Sequence, residues 1–176
     1  MPTHAQEPFP SRQLINTLGF ALCAGLLGYG YYLQYAQGLE PCPLCMVQRV
    51  AFMALGLTFL VAALHNPVGW GSRIYALLIL LFAAGGGAVA ARQVWLQSLP
   101  PDQVPACGPP LEFMLDTLPL TEVVTTVLRG SGDCAEVDWT FMGLSIAGWA
   151  LVMFAGLGLV GFVRNLITGR ARSAVG

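Results

Sequence analysis

Glu40-Pro41-Cys42-Pro43-Leu44-Cys45-Met46-Val47-Gln48-Arg49 sets a Cys-x-x-Cys pair between two long apolar segments. Pro41 and Pro43 suit the start of a helix, because a proline in the first turn forfeits no hydrogen bond and presets φ. A helix beginning at Pro43 puts Cys42 and Cys45 at its N-terminus. There, unpaired N–H groups and the positive end of the dipole stabilise a thiolate. Arg49 follows Cys45 by four residues and Cys42 by seven, so the three are predicted to share roughly one helix face. The stretch reads as a polarised thiol pair with a cation one turn deeper, at the mouth of an apolar helix.

Working outward, 56% of the 176 residues are hydrophobic and only 10% are charged. A soluble domain carries about 25% charged residues, so the composition is that of an integral membrane protein. The net charge of −1 gives no reason to expect a nucleic-acid partner. Four segments are long and apolar enough to span, at about 14–36, 43–64, 73–96 and 142–164. The expectation is a single all-α membrane domain over 1–176: a four-helix bundle with a long outer loop at about 97–141. A cleaved signal peptide is not expected, since the first apolar run is long, lacks a small-x-small site and ends in aromatics. Residues 1–12, with three prolines, are expected to be poorly ordered.

Orientation follows from the arginines. Arg12, Arg73, Arg164, Arg170 and Arg172 fall on one side, while the acidic residues Glu40, Asp102, Glu112, Asp116, Glu122, Asp133, Glu136 and Asp138 fall on the other. The positive-inside rule then predicts cytoplasmic termini and an outward-facing cysteine pair and loop. Tyr29, Tyr31, Tyr32 and Tyr35 read as an aromatic belt at the outer interface. Gly25 and Gly28 are predicted to allow close helix contact, and Gly85-Gly86-Gly87 is read as a packing site. Cys23 reads as an inert apolar residue. Within the loop, Leu111–Leu118 and Leu120–Leu128 are amphipathic pieces too short and acidic to span. They are expected to lie along the membrane surface, with Thr121 capping the second and Val123, Val124, Val127 and Leu128 on its apolar side.

With Cys23 set aside, the four remaining cysteines follow Cys-x2-Cys-x61-Cys-x26-Cys, all on the outer side. A structural zinc ribbon wants a second close pair and histidines, which this spacing lacks. In an oxidising compartment two disulfides are expected, Cys42 with Cys45 as the local pair and Cys107 with Cys134. A Cys-x-x-Cys ring is a weak staple, which favours a redox role. Arg49 beneath the pair argues against the competing reading, a non-enzymatic four-helix scaffold with two structural disulfides.

Taken together, Pro41-Cys42-x-x-Cys45-x-x-x-Arg49, the four apolar segments, loop cysteines 107 and 134, and Gly132-Asp133-Cys134-Ala135-Glu136-x-x-Trp139 resemble the bacterial DsbB family across nearly the whole chain. The resemblance implies a quinone-dependent thiol oxidoreductase of the bacterial inner membrane. It would be a monomer, its donor a DsbA-like periplasmic thioredoxin-fold oxidase and its acceptor ubiquinone or menaquinone. A paralogue serving a dedicated partner belongs to the same class. The DsbA–DsbB–quinone chain is the established route that keeps the bacterial periplasm oxidising. By resemblance, Cys107 takes the mixed disulfide with DsbA, Cys134 exchanges with Cys42, and Cys45 is released as a thiolate facing the quinone, with Arg49 stabilising charge on a quinone oxygen. One departure stands out: Gln93 occupies a position where the family often has histidine, and an amide donates hydrogen bonds but does not titrate.

Overall fold

A computed structural model describes residues 11–173 except 68, 101, 109, 110 and 138, with side chains described to 167. The prolines of residues 1–10 and the C-terminal arginines 170 and 172 therefore lie outside what is described of side chains. Four long helices dominate: α1 (Arg12–Gln37), α2 (Pro43–His65), α3 (Trp70–Gln97) and α6 (Ile146–Ser173). Each is long and apolar enough to cross a membrane, the last over Ile146–Ile167. At about 1.5 Å per residue even the shortest exceeds the roughly 30 Å of a hydrocarbon core. Leu14, Leu18, Leu57, Leu77, Leu81 and Leu159 are exposed along them, as lipid contact requires. The chain is a multi-pass, all-α membrane protein.

The turns are set by local chemistry. Ser11 caps α1 by accepting from Leu14 N, and Gly38 ends it in the left-handed region at φ 69°. Cys42 is the N-cap of α2 with Pro43 in the first turn, as the sequence predicts. Asn66, at φ 39°, ends α2.

α1 packs mainly on α2, and α3 mainly on α6. Their shared core holds Cys23, Phe52, Leu55, Phe59, Ile79, Ala83, Phe154 and Leu157. The glycines that allow close approach differ from those expected. A Cβ at Gly25 or Gly28 would meet nothing within 4 Å, whereas one at Gly19 would lie 2.9 Å from the Phe59 ring and one at Gly56 3.0 Å from Cys23 Cβ. The rotation of α1 turns Gly25 and Gly28 outward and Gly19 and Cys23 inward. Cys23 is thus a packing residue, as read. In the triple-glycine run, Gly86 lies against Phe154 and Gly85 faces open space.

The bundle end that carries the termini is held by buried amides. Asn16 and Asn165 exchange hydrogen bonds at 3.2 and 2.9 Å, Ser72 Oγ donates to the Asn165 carbonyl, and Arg12 donates to Asn66. In an apolar medium such pairs have few alternative partners, which fixes the helices in register.

At the other end the loop folds onto the helix ends. It contains α4 (Leu111–Thr117), α5 (Leu120–Arg129), a 3₁₀ turn at Gly132–Cys134, and a hairpin of β1 (Thr140–Phe141) and β2 (Leu144–Ser145). α5 starts one residue before Thr121, and its N-cap is Pro119 without a side-chain cap. Thr121 therefore sits inside the first turn, where it has no capping geometry. The apolar side of α5 is divided: Val123 and Val127 are buried, while Leu120, Val124 and Leu128 form an exposed i, i+4, i+8 stripe. Arg92 Nη2 donates to the Arg129 carbonyl at 3.0 Å and secures the C-terminus of α5 to α3. α6 begins at Ile146 rather than 142. Met142 (φ 51°) and Gly143 (φ 81°) form a two-residue hairpin turn that keeps 140–145 extended.

Candidate active site

Cys42, Leu44, Leu96, Met114, Val123, Val127 and Cys134 form a second buried cluster, where the loop docks on the ends of α2 and α3. Leu44 and Leu96 are fully buried at its centre. Gly130, at φ 80°, presses on both leucines, where no side chain fits. This apolar clamp carries the 3₁₀ turn, and with it Cys134, to the start of α2.

The five cysteines are free thiols, so the two expected disulfides are not formed in this structure. Cys42 Sγ and Cys45 Sγ are 3.1 Å apart. Cys134 is completely buried in one cluster with Cys42, whose thiol interacts with its own. Cys107 is exposed beside Asp133. The backbone brings the two loop cysteines to one place: Gly132 N donates to the Ala106 carbonyl at 3.3 Å, and a Cβ at Gly132 would lie 3.1 Å from Cys107 Sγ. Cys134 therefore stands between the exposed Cys107 and the pair on α2.

The electrostatics separate these thiols. Cys134 is pulled down to about 6, first by the hydrogen bond from Cys42, with the backbone N–H groups of Leu44 and Ser131 adding to it against the opposing effect of burial. At the N-terminus of α2 the Leu44 N–H serves a cysteine ninety residues away, not Cys42, where the sequence reading places that stabilisation. Cys42 is held protonated, chiefly by its hydrogen bonds to Cys134 and Cys45. The Cys107 thiol is raised by its hydrogen bond to Asp133 and by that residue's charge.

A pH dependence follows. Because the value of Cys134 in this fold lies below its ordinary value of 9.0, the thiolate is present at neutral pH and is lost as pH falls through about 6. The ultraviolet thiolate absorbance of the reduced protein, taken as a difference from Cys134→Ser, should show that loss. A difference signal that disappears only near pH 9 would contradict the assignment.

Two amides complete the site. Gln93 on α3 and Gln48 on α2 are each 4% exposed. Gln48 Nε2 donates to Gln93 Oε1 at 2.7 Å, and Gln93 Nε2 stands 3.3 Å from Cys45 Sγ and 3.4 Å from Cys42 Sγ. Sequence reasoning gave Gln48 no role, although it follows Cys45 by three residues and so faces the same way. Arg49 is placed as expected along α2, but its hydrogen bonds run to α1: Nη1 to Gln34 Oε1 at 2.5 Å and Nη2 to the Gly30 carbonyl at 3.0 Å, with its guanidinium 4.9 Å from the Tyr31 ring centre.

A cleft opens beside Cys45. It is lined by Leu33, Cys45, Gln93, Gln97, Trp139 and Ile146, among others, and Gly30 reaches its wall. Ser145 Oγ donates to Gln97 Oε1 at 2.7 Å, which leaves the Gln97 amide nitrogen as a donor at the cleft. Glu40, Asp133 and Glu136 also line the cleft, while the apolar side chains, the two amides and the Cys45 sulfur suit a flat, weakly polar ring.

Comparison with known proteins agrees. The family model for disulfide bond formation protein DsbB matches residues 12–164. The chain is 58% identical over 146 residues to disulfide bond formation protein B of Hahella chejuensis, covering 83% of this chain and 88% of that protein. To the protein of that name from Nitrosococcus oceani it is 58% identical over 143 residues, covering 81% and 85%. To disulfide bond formation protein B 1 of Pseudomonas aeruginosa it is 48% identical over 161 residues, covering 90% and 99%. With its four membrane helices and four of its five cysteines gathered at one end of the bundle, the chain belongs to the DsbB family of disulfide bond formation proteins.

Proposed function

We propose that this membrane disulfide oxidoreductase reoxidises a DsbA-like periplasmic dithiol oxidase and passes the electrons to a membrane quinone through Cys107–Cys134 and then Cys42–Cys45. The observation that carries the reading is the position of Cys134, buried against Cys42 while Cys107 stays exposed.

The direction of exchange follows from leaving-group chemistry. With Cys107 and Cys134 joined, a DsbA thiolate attacks the accessible Cys107 sulfur and expels Cys134. Cys134 is the better leaving group, since the Leu44 and Ser131 backbone N–H groups favour its thiolate whatever the state of Cys42, while Asp133 disfavours that of Cys107, and the more stable thiolate departs faster. Attack at Cys134 would need a buried sulfur and would expel the raised Cys107 thiol. The second DsbA thiol resolves the mixed disulfide, giving oxidised DsbA and a Cys107 thiol. The Cys134 thiolate then attacks Cys42 of the Cys42–Cys45 disulfide. A Cys42–Cys134 bond forms, the Cys42–Cys45 bond breaks, and Cys45 leaves as a thiolate toward the cleft. Cys107 returns to Cys134, and Cys42 and Cys45 are left as the reduced pair. Their two electrons and two protons must reach an acceptor.

A quinone in the cleft supplies a two-electron acceptor of sufficient potential. DsbA is itself a strong oxidant at about −120 mV, so an acceptor at the glutathione level would not serve. Cys45 presents its sulfur there, Gln93 and Gln97 present amide donors, and Leu33, Trp139 and Ile146 form its apolar side. Ubiquinone and menaquinone heads both suit this lining. The natural setting is a bacterial inner membrane with both termini cytoplasmic and the loop periplasmic, as the arginine distribution argues. The exposed Leu120, Val124 and Leu128 of α5 suit a helix lying at the interface.

Arg49 borders the cleft through the Gly30 carbonyl and adds positive charge near developing negative charge on the acceptor. Arg49→Ala is expected to raise the apparent KM for quinone roughly tenfold, the size of one charge-assisted hydrogen bond. An unchanged KM would remove Arg49 from the acceptor site.

The test of the relay is direct. Purified protein in detergent receives reduced DsbA and a soluble ubiquinone analogue, and quinone absorbance is followed. Turnover that requires both Cys45 and Cys107 supports the relay. Intact disulfides that do not respond to reduced DsbA would return the chain to the scaffold reading.

A further inference from the structure

We propose that Gln48 is a positioning residue of this site, locking the Gln93 amide with its N–H₂ edge toward the cysteine sulfurs so that the Cys45 thiolate receives an uncharged, non-titrating donor. The inference rests on the thiol relay described above and names a part of it that the cysteines do not supply.

The argument begins with the symmetry of an amide. A glutamine side chain offers a carbonyl on one edge and two N–H donors on the other, and a half-turn exchanges them. Facing sulfur, the two edges have opposite effects. The N–H₂ edge stabilises a thiolate, and the carbonyl repels it. Gln93 is buried, so water does not decide which edge faces Cys45. Gln48 does: its Nε2 lies 2.7 Å from Gln93 Oε1 and holds that oxygen on the α2 side. The two hydrogens of Gln93 Nε2 then fork to Cys45 Sγ at 3.3 Å and Cys42 Sγ at 3.4 Å. Cys45 Sγ also stands 3.5 Å from Gln93 Oε1, a contact in which only a protonated Cys45 can donate. Once Cys45 is a thiolate it is an acceptor only; the fork then holds it, joined by the Cys42 S–H at 3.1 Å when Cys42 is reduced.

The arrangement fits the chemistry of the step. An amide donor holds the thiolate without changing its own protonation state. Gln48 touches neither sulfur, so its influence passes through Gln93 alone.

Cys42 and Cys134 are the thiols facing Cys45. Glu40, Asp133 and Glu136 share its cleft, and Arg49 lies one turn along α2. The test is therefore run at one neutral pH. Reduced full-length protein in detergent is alkylated with iodoacetamide, and modification of Cys45 and of exposed Cys107 is timed in the same molecules by peptide mass spectrometry. Gln48→Met removes the lock without adding charge, and Gln48→Glu draws the Gln93 N–H₂ away from sulfur. Relative to Cys107, Cys45 alkylation is expected to slow about tenfold in Gln48→Glu and by less in Gln48→Met, since hydrogen bonds to charged groups contribute about 1.5–3 kcal/mol. The double variant Gln48→Glu/Gln93→His should restore the rate, because an imidazolium donates to Glu and to sulfur at once.

An unchanged Cys45 rate overturns the proposal. So does a faster one, which signals a loosened helix end, and so does a slowing that the double variant leaves in place. If one single variant fails to fold, the other carries the test. The assay contains neither DsbA nor quinone. Failure of the relay in the turnover assay and failure of the amide lock here are thus separate results.

Discussion

Cys45→Ser is expected to reduce quinone-coupled oxidation of DsbA to background, a loss of about a thousandfold or more, as removal of a nucleophile in a concerted set commonly gives. The folded state should survive. Cys45 is only partly buried at the first turn of α2, and serine keeps its shape with a smaller, less polarisable atom. What disappears is the leaving group. Cys134 would have no disulfide on α2 to attack, so nothing carries electrons past the loop. The loop disulfide would still be intact, and this gives the prediction its sharpest form. Oxidised Cys45→Ser protein should convert one equivalent of reduced DsbA to the disulfide form and then stop, with no quinone consumed. Cys42→Ser should behave alike, because the attacked sulfur is missing. Cys107→Ser should fail earlier, with no DsbA oxidised, while Cys42 and Cys45 can still be oxidised by quinone after chemical reduction. Quantifying oxidised DsbA per protein under single-turnover conditions separates the three. Sustained turnover in Cys45→Ser would mean that electrons leave by a route that bypasses the cleft.

Several parts of this molecule could be read from composition and period alone. Four apolar stretches of membrane-spanning length announce four helices, since a lipid environment leaves a chain few other ways to satisfy its backbone. Prolines flanking Cys42 fix where α2 begins, and the structure starts it at Pro43. Other features depend on how the helices rotate and where the loop lands. Gly25 and Gly28 look like contact glycines, yet α1 turns Gly19 and Cys23 inward. Nothing local to Cys134 says that its sulfur will rest on Cys42, because that contact is made by Met114, Val123 and Val127 closing over Leu44 and Leu96. The later start of α6 traces to the positive φ values at Met142 and Gly143, a turn that a hydropathy profile does not register. Arg49 was legible as a cation near the thiols, whereas its attachment to Gln34 and Gly30 required α1 in place. Gln48 was hidden for a different reason: a glutamine without a known partner carries no signal, and its partner lies 45 residues further along the chain.

Gly86→Ala should be the most damaging small substitution in the bundle. A Cβ at Gly86 would lie 2.3 Å from Phe154 Cζ, far inside van der Waals contact. That ring is 1% exposed and stacks on Phe52 with centroids 3.9 Å apart and planes 15° from parallel, so it has no empty side to move toward. The methyl group can be accommodated only by separating α3 from α6 or by driving Phe154 from its rotamer. Overpacking of this kind costs about 1–3 kcal/mol, occasionally more. Gly85→Ala, one residue earlier, is the internal control. Its Cβ would meet nothing within 4 Å, and alanine is the better helix former by about 1 kcal/mol in water-based scales. The same chemical change at adjacent positions of one helix should therefore have opposite signs. Thermal unfolding in detergent should show a lowered midpoint for Gly86→Ala and an equal or raised one for Gly85→Ala. Trimming the obstruction with Phe154→Leu should be worth less in the Gly86→Ala background than in the parent, a coupling that a double-mutant cycle measures. Equal midpoints for the two alanine variants would show that α3 and α6 do not approach at Gly86. The consequence reaches the site, because α3 carries Gln93 and the start of α6 follows Ser145. Separated helices would draw the Gln93 donors off the sulfurs and part Ser145 from Gln97. Gly86→Ala protein held below its unfolding temperature should accordingly lose quinone-linked turnover more steeply than it loses helix content.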